Sequence, residues 1–196
     1  MANEYATRAD LKLRLGIEVD DDSRDTLLDG ALAASSRGID TATGRRFWLD
    51  AEPSARVFTL AGNVMCGDSG TRLLIDDAGA APTLVEVGSG SSWTPVTDYD
   101  TAPDNALVRG RPITALALAA GGWGGGPRAR VTARWGWPVM PDEITEATLI
   151  QAARLYRRKD SPEGVTGSAE WGVVRLSRRD PDVWALIEHF IRPGFG

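Results

Sequence analysis

The spacing of apolar residues changes twice along the chain, from helical to alternating and back to helical. Leu11 and Leu15 stand four apart with Leu13 beside them. Thr7 and Asp10 form a capping-box-like start, and Gly16 is a natural stop, so a short first helix is predicted. Leu27, Leu28, Ala31, Leu32, Ser35 and Ile39 make a second apolar stripe at helical spacing. Asp20, Asp21 and Asp22 are read as its acidic first turn and Gly44 as its end. Short runs of strand character follow: Arg56–Leu60, Arg72–Ile75, Thr83–Val87, Ala106–Val108 and Arg128–Trp135. In the last of these, Ala129, Val131, Ala133 and Trp135 alternate with Arg130, Thr132 and Arg134, the mark of a half-buried strand. Helical spacing returns after Pro141 with Ile144, Ala147, Thr148, Gln151, Ala152 and Leu155, to about Lys159. A polar loop is predicted over Asp160–Ser168 and a strand over Trp171–Leu176. A last helix is capped by Asp180, has Pro181 at its first position and carries Val183, Leu186, Ile187 and Phe190 on its apolar face.

This pattern predicts an α+β fold. Segments 1–46 and 141–196 form a helical bundle core, and 47–140 form a β-rich insertion subdomain. The length of 196 residues suits one domain, or one small domain with an insertion. No stretch approaches the roughly 20 apolar residues of a membrane span; the longest apolar run, Ile113–Ala120, is interrupted by Thr114. Residues 1–10 contain Glu4 and Asp10 and no apolar signal-peptide core, which predicts a protein cytosolic at synthesis and no membrane partner.

Charge and chemistry narrow the function. The net charge is −5, spread as −3 over residues 1–50, −1 over 51–140 and −1 over 141–196, so no segment is basic enough for a nucleic-acid-binding module. Cys66 and His189 are each alone of their kind, which leaves no disulfide and no zinc set. There is no nucleophile elbow, phosphate loop or dinucleotide fingerprint. Gly88 to Ser92 is glycine-rich but is followed by neither a helix nor a lysine. Asp76–Asp77 and the pair Asp98 and Asp100 are the carboxylates nearest to a catalytic or calcium-binding arrangement, and both sit near turns, where aspartate is common for backbone reasons. The expectation is a non-catalytic chain with no cofactor and no metal. Seven tryptophans, among them Trp135, Trp137, Trp171 and Trp184, offer large contact areas to a core or a partner.

Taken in order, these motifs resemble the head–tail connector, or adaptor, family of tailed bacteriophages. The resemblance rests on Ala9–Gly16 and the helix ending Thr43–Phe47, then on Arg134–Ile144 leading into Ala147–Val165, Gly172–Leu176 and Asp180–Val183. It spans about 45 residues at the N-terminal end and 65 at the C-terminal end; the β-rich middle is longer than in smaller members. The resemblance implies a virion neck protein that assembles as a ring of about twelve copies under the portal, with heterologous contacts between copies. The portal protein, the neighbouring copies and a tail-side neck or stopper protein are the implied partners, and DNA is passing cargo only. A mobile C-terminal segment with aromatic anchors and arginines suits docking, so Trp171, Arg175, Arg178, Arg179 and Trp184 are the candidate assembly residues. The rival readings are another neck or tail-completion protein, a β-rich ligand-binding module on a helical stalk, and an enzyme using the acidic residues.

Overall fold

A computed structural model describes residues 3–67, 70–158, 165–166, 174–175 and 180–192. The chain has an α+β fold and divides into two compact units, Met1–Arg45 with Met140–Gly196, and Arg46–Val139.

The first unit is helical. Helix α1 (Arg8–Leu15) starts where the Thr7 hydroxyl accepts from the Asp10 amide at 3.2 Å and stops at Gly16, whose φ of 68° lets its amide turn back onto the last carbonyls. Helix α2 (Asp25–Thr43) begins three residues beyond the end of the aspartate run, so that run is not its first turn. Asp21 instead accepts from the Ser23 amide and hydroxyl, and the Ser23 side chain holds its carboxyl below the usual carboxylate range. The acid in the first turn is therefore Asp25. Helix α3 (Asp142–Arg157) follows Pro141 and packs along α2, and α4 (Pro181–Ile187) packs on α3.

Leu11, Leu28, Leu32, Ala152, Ala153 and Tyr156 form one buried cluster between α1, α2 and α3. Leu13 does not join it and is 79% exposed. Two residues along a helix are about 200° apart around the axis, so Leu11 and Leu13 cannot share a face. Lys12 takes the inward position instead and is 4% exposed. Its ammonium lies 2.7 Å from the Asp25 carboxylate and donates to the Val19 carbonyl at 2.9 Å, while Arg8 pairs with Asp25 and Asp29. Leu27 also points to solvent, because the buried stripe of α2 runs through Leu28, Leu32, Ser35 and Ile39. Within the predicted loop 160–168, Val165–Thr166 (β9) is a strand paired antiparallel with Val174–Arg175 (β10), consistent with the β preference of Val and Thr. The remainder of the predicted strand 171–176 lies outside the described residues.

The second unit holds two four-stranded antiparallel sheets. One has the order β1 (Ser54–Thr59), β8 (Arg128–Ala133), β4 (Leu84–Ser89), β5 (Ser92–Pro95). The other has the order β2 (Val64–Gly67), β3 (Gly70–Ala78), β7 (Ile113–Leu118), β6 (Asp100–Ala102). Leu73, Ile75 and Leu116 from the second sheet share one buried cluster with Val85, Val87, Ala129 and Val131 from the first. The apolar run at Ile113 is thus a strand buried among neighbours, and continuous apolarity suits a strand of that kind. The predicted strand Ala106–Val108 is instead part of a single 3-10 turn, Leu107–Arg109, closed by Gly110 at φ 67°. Val108 stands exposed on it, with no cross-strand neighbour to hold it in a ladder.

Beyond β8, Trp135 is completely buried and donates from its indole to the Ser54 carbonyl at 2.8 Å. Gly136 follows at φ 110°, and a Cβ there would lie 1.8 Å from the Trp48 carbonyl oxygen. Gly136→Ala therefore combines left-handed strain with a clash against backbone, and a loss of about 2–5 kcal/mol is expected in chemical denaturation. Gly30→Ala, inside α2 with open space around its Cβ, is expected to stabilise by about 0.5–1 kcal/mol in the same assay.

On the outer face of the first sheet, Arg130 donates from Nε to the Glu86 carboxylate at 2.7 Å and lies 4.4 Å above the centre of the Trp93 ring. That hydrogen bond lowers the Glu86 carboxyl from its ordinary 4.5. A depressed carboxyl supplies its stability above the ordinary range and loses it as pH falls through the lowered value. The advantage of the native protein over Glu86→Gln should therefore hold steady from pH 7 to about 5 and shrink in more acidic solution, as read from denaturation midpoints across a pH series.

Candidate assembly surface

A groove of the helical unit runs beside α4. Asp180 creates the end of that helix. One carboxylate oxygen accepts from the amides of Asp182 and Val183, at 3.0 and 3.4 Å, and the other accepts from Arg154 of α3 at 3.0 Å. Pro181 occupies the first turn, where its missing N–H is no loss. Val183 and Ile187 turn inward and are buried. After the helix, the Arg192 amide donates to the Thr43 carbonyl at 2.9 Å, and Arg45 Nε donates to the Phe190 carbonyl at 2.6 Å. These bonds tie the segment to the C-terminal end of α2.

The groove that remains has a volume of about 240 Å³. Ala34, Ser35, Gly38, Ile39 and Ala42 of α2 form one wall, and Trp184 with Val183 and Ile187 forms another. Four of the five residues on the α2 wall are small. Ser35 turns its hydroxyl back to the Ala31 carbonyl at 2.7 Å, so this side of the groove presents little polar demand.

Of the five candidate assembly residues, the structure places Trp184 alone with its side chain, half-buried on this groove. Arg175 is placed by its backbone, in β10 opposite Val165. Trp171, Arg178 and Arg179 lie outside the described residues. Arg154 is the residue that sequence spacing did not single out. It reads as one of several cations in the last turns of α3, and only the fold brings Asp180 to it.

Of the carboxylates considered for catalysis, Asp76 and Asp77 have structural partners. Asp76 pairs with Arg56 at 2.7 Å, and Asp77 is buried and accepts from the Trp137 indole at 3.1 Å. Asp76 turns to Arg56 in a partly exposed position while Asp77 is buried against Trp137, so these two carboxylates do not converge. Among the described residues no group of three histidine, cysteine, aspartate or glutamate side chains is placed to hold a metal ion. No described helix is long and apolar enough to cross a membrane.

A chain from the neck of an empty GTA particle, computed with C6 symmetry, superposes with a TM-score of 0.57 over 98% of this chain and 93% of that one, at 18% identity. The two share a fold. A chain from the neck of a native GTA particle, computed with C12 symmetry, covers 96% and 90% at 20% identity with a TM-score of 0.46. No protein-family model and no curated protein sequence matches the chain.

Asp180→Ala removes the cap of α4 and leaves the largely buried Arg154 without this carboxylate, so a loss of about 2–3 kcal/mol is expected. Asp180→Asn keeps a capping oxygen and should cost less than half as much. Urea denaturation of the three proteins checks the ranking.

Proposed function

We propose that this chain is a structural neck subunit of a tailed phage or phage-like particle, and within that neck a head-to-tail adaptor. It assembles as a ring beneath the portal, meets a tail-side neck or stopper protein on its far side, and lets DNA pass through. The observation that carries this reading is the fold shared with a neck chain across nearly the whole length of both proteins. An acidic net charge of −5 is in keeping with DNA as cargo, since tight phosphate binding would hinder its passage. Asp76 and Asp77, one of the two aspartate pairs open to a catalytic reading, are engaged with Arg56 and Trp137, which favours a structural role over an enzymatic one.

A ring with cyclic symmetry joins two different faces of each copy. We assign Trp184 and its groove to the docking side, together with Trp171, Arg175, Arg178 and Arg179 of the preceding segment, and the portal or the next copy as the occupant. Native mass spectrometry of the purified protein, alone and mixed with portal, tests the reading. A ring, or a portal-bound ring, is expected. A monomer that ignores portal and keeps a small ligand, or a pure sample that turns over a substrate, would overturn it. Trp184→Ala is expected to remain folded and to weaken assembly at least tenfold, in keeping with the weight that single buried aromatics carry at interfaces. The free subunit should bind duplex DNA only weakly and in a strongly salt-dependent way, as read by anisotropy.

A further inference from the structure

Strand β1 ends the first sheet of the β-rich unit, and its outer edge carries the largest unmet hydrogen-bonding demand of the sheet edges described. The phase of its ladder follows from one bond. Leu60 donates to Pro127 at 3.0 Å, and these two residues continue the register that sets Ser54 opposite Ala133 and Thr59 opposite Arg128. Antiparallel pairs alternate between bonded and non-bonded, so Ser54, Arg56 and Phe58 bond to β8, while Ala55, Val57 and Thr59 turn their backbone groups outward. Thr59 spends its carbonyl on the Asn63 side chain at 2.8 Å. Among the described residues, no strand pairs with the groups that remain. Their side chains are uncharged and exposed, with Val57 at 51%.

Sheet edges are normally protected by shortness, proline, lysine or a bulge. The other three edges of this unit are short: β5 has four residues and ends in Pro95, β2 has four and ends in Gly67, and β6 has three. Strand β1 has six residues, an unbroken register, and no proline or lysine. Its one charged side chain, Arg56, is engaged with Asp76 and lies over Trp135, which leaves β1 the longest and least protected of the described edges.

We propose that β1 is an assembly strand whose outer edge pairs with the outer edge of β5 from a second copy of this chain. This rests on the ring reading above. Every neighbouring pair in the order β1-β8-β4-β5 is antiparallel. With four strands, the two edge strands therefore run in opposite directions. Copies joined head to tail, β5 beside β1, continue an antiparallel ladder without reversal, and such a contact is heterologous, as a ring requires. The β5 edge has matching groups. Val96 donates to Val85 at 2.8 Å, which fixes the phase of that ladder so that Trp93 turns both its N–H and its carbonyl outward and Pro95 turns out its carbonyl. The outward N–H and carbonyl groups of Ala55 and Val57 complement these three. Trp93 is held at the edge by Arg130, which in turn is held by Glu86, so the edge is preorganised.

The test is Val57→Pro. It removes an outward N–H and no bond to β8, a position where an edge strand tolerates proline. The variant is expected to keep the far-ultraviolet spectrum and cooperative melt of the native protein while its assembly weakens at least tenfold by native mass spectrometry. Val57→Lys, a charge on the edge that keeps the N–H, serves if the proline variant does not fold, and the same loss is expected. Hydrogen exchange of the native ring should show at least tenfold greater protection of residues 54–59 and 92–95 than in the free subunit. Variants that fold and form rings like the native protein would overturn this pairing and leave the ring standing. Protection of 54–59 with none at 92–95 would overturn β5 as the partner strand. A native protein that forms no ring, alone or with portal, would overturn the pairing together with the neck reading.

Discussion

The β-rich unit depends on the complete burial of Trp135. The indole spends its one donor on Ser54, its ring lies beneath the Arg56 guanidinium at 4.5 Å, and Phe58 packs at 5.9 Å. Its carbonyl accepts from Asp50 and Arg46, and its backbone bridges to Ala78 on the other sheet. One residue thereby joins the two sheets and the segment leading into β1. Gly136 makes this possible, because its amide reaches Asp77 while its missing side chain lets the Trp48 carbonyl approach. The buried carboxylate of Asp77 then receives the Trp137 indole, so the Trp-Gly-Trp run is a closure device in which each polar atom named has a partner.

The helical unit is built on a different balance. Its central pair, α2 and α3, packs through small and medium side chains, with Ala31, Ala152 and Ala153 at the contact. Small residues allow close approach but contribute little apolar area each. Charged groups complete the attachment of the outer helices. Lys12 and Arg8 hold α1 through Asp25 and Asp29, Arg14 reaches Glu146 on α3, and Arg154 holds the start of α4 through Asp180. Exposed pairs of this kind are worth little, and partly buried ones matter chiefly because losing one partner strands the other. The two outer helices are thus more conditional than the pair they flank.

Both features bear on the proposed role in a neck ring. A subunit that joins copies of itself and a second protein needs rigid parts to define geometry and conditional parts to meet partners. Under the proposed function the two sheets with a common core would supply the first, and the flanking helices with the groove beside Trp184 the second. Neither the groove nor the edge of β1 holds a reactive constellation. Both are surfaces whose unmet demand is apolar contact or backbone hydrogen bonding, the kind of demand that the proposed protein partners would answer.

Much of this was legible from local chemistry. Thr7 with Asp10, Gly16, Gly44 and the Asp180–Pro181 pair mark helix ends through bonds made within a few residues, and the structure places those ends there. The alternation in Arg128–Ala133 marks a strand with one buried face, and the α+β class follows from the two periods. Where burial is decided by distant neighbours, local pattern misleads. Leu13 and Leu27 are apolar yet exposed, and Lys12 is charged yet buried, because Asp25 and Val19 wait for its ammonium. Ala106–Val108 has strand composition but no strand beside it, and β2, β5 and β6 are too short to carry a period. Of the candidate assembly residues, spacing put Trp184 on a short capped helix, while its place on a groove came from α2 residues some 145 positions earlier in the chain. The sequence by itself determined the helix ends that are closed by local caps and which runs alternate, because those are bonds between neighbours. Which strand is left at an edge, which tryptophan is sealed and which leucine faces solvent were decided by tertiary structure, because pairing and burial are properties of residues that meet only when the chain has folded.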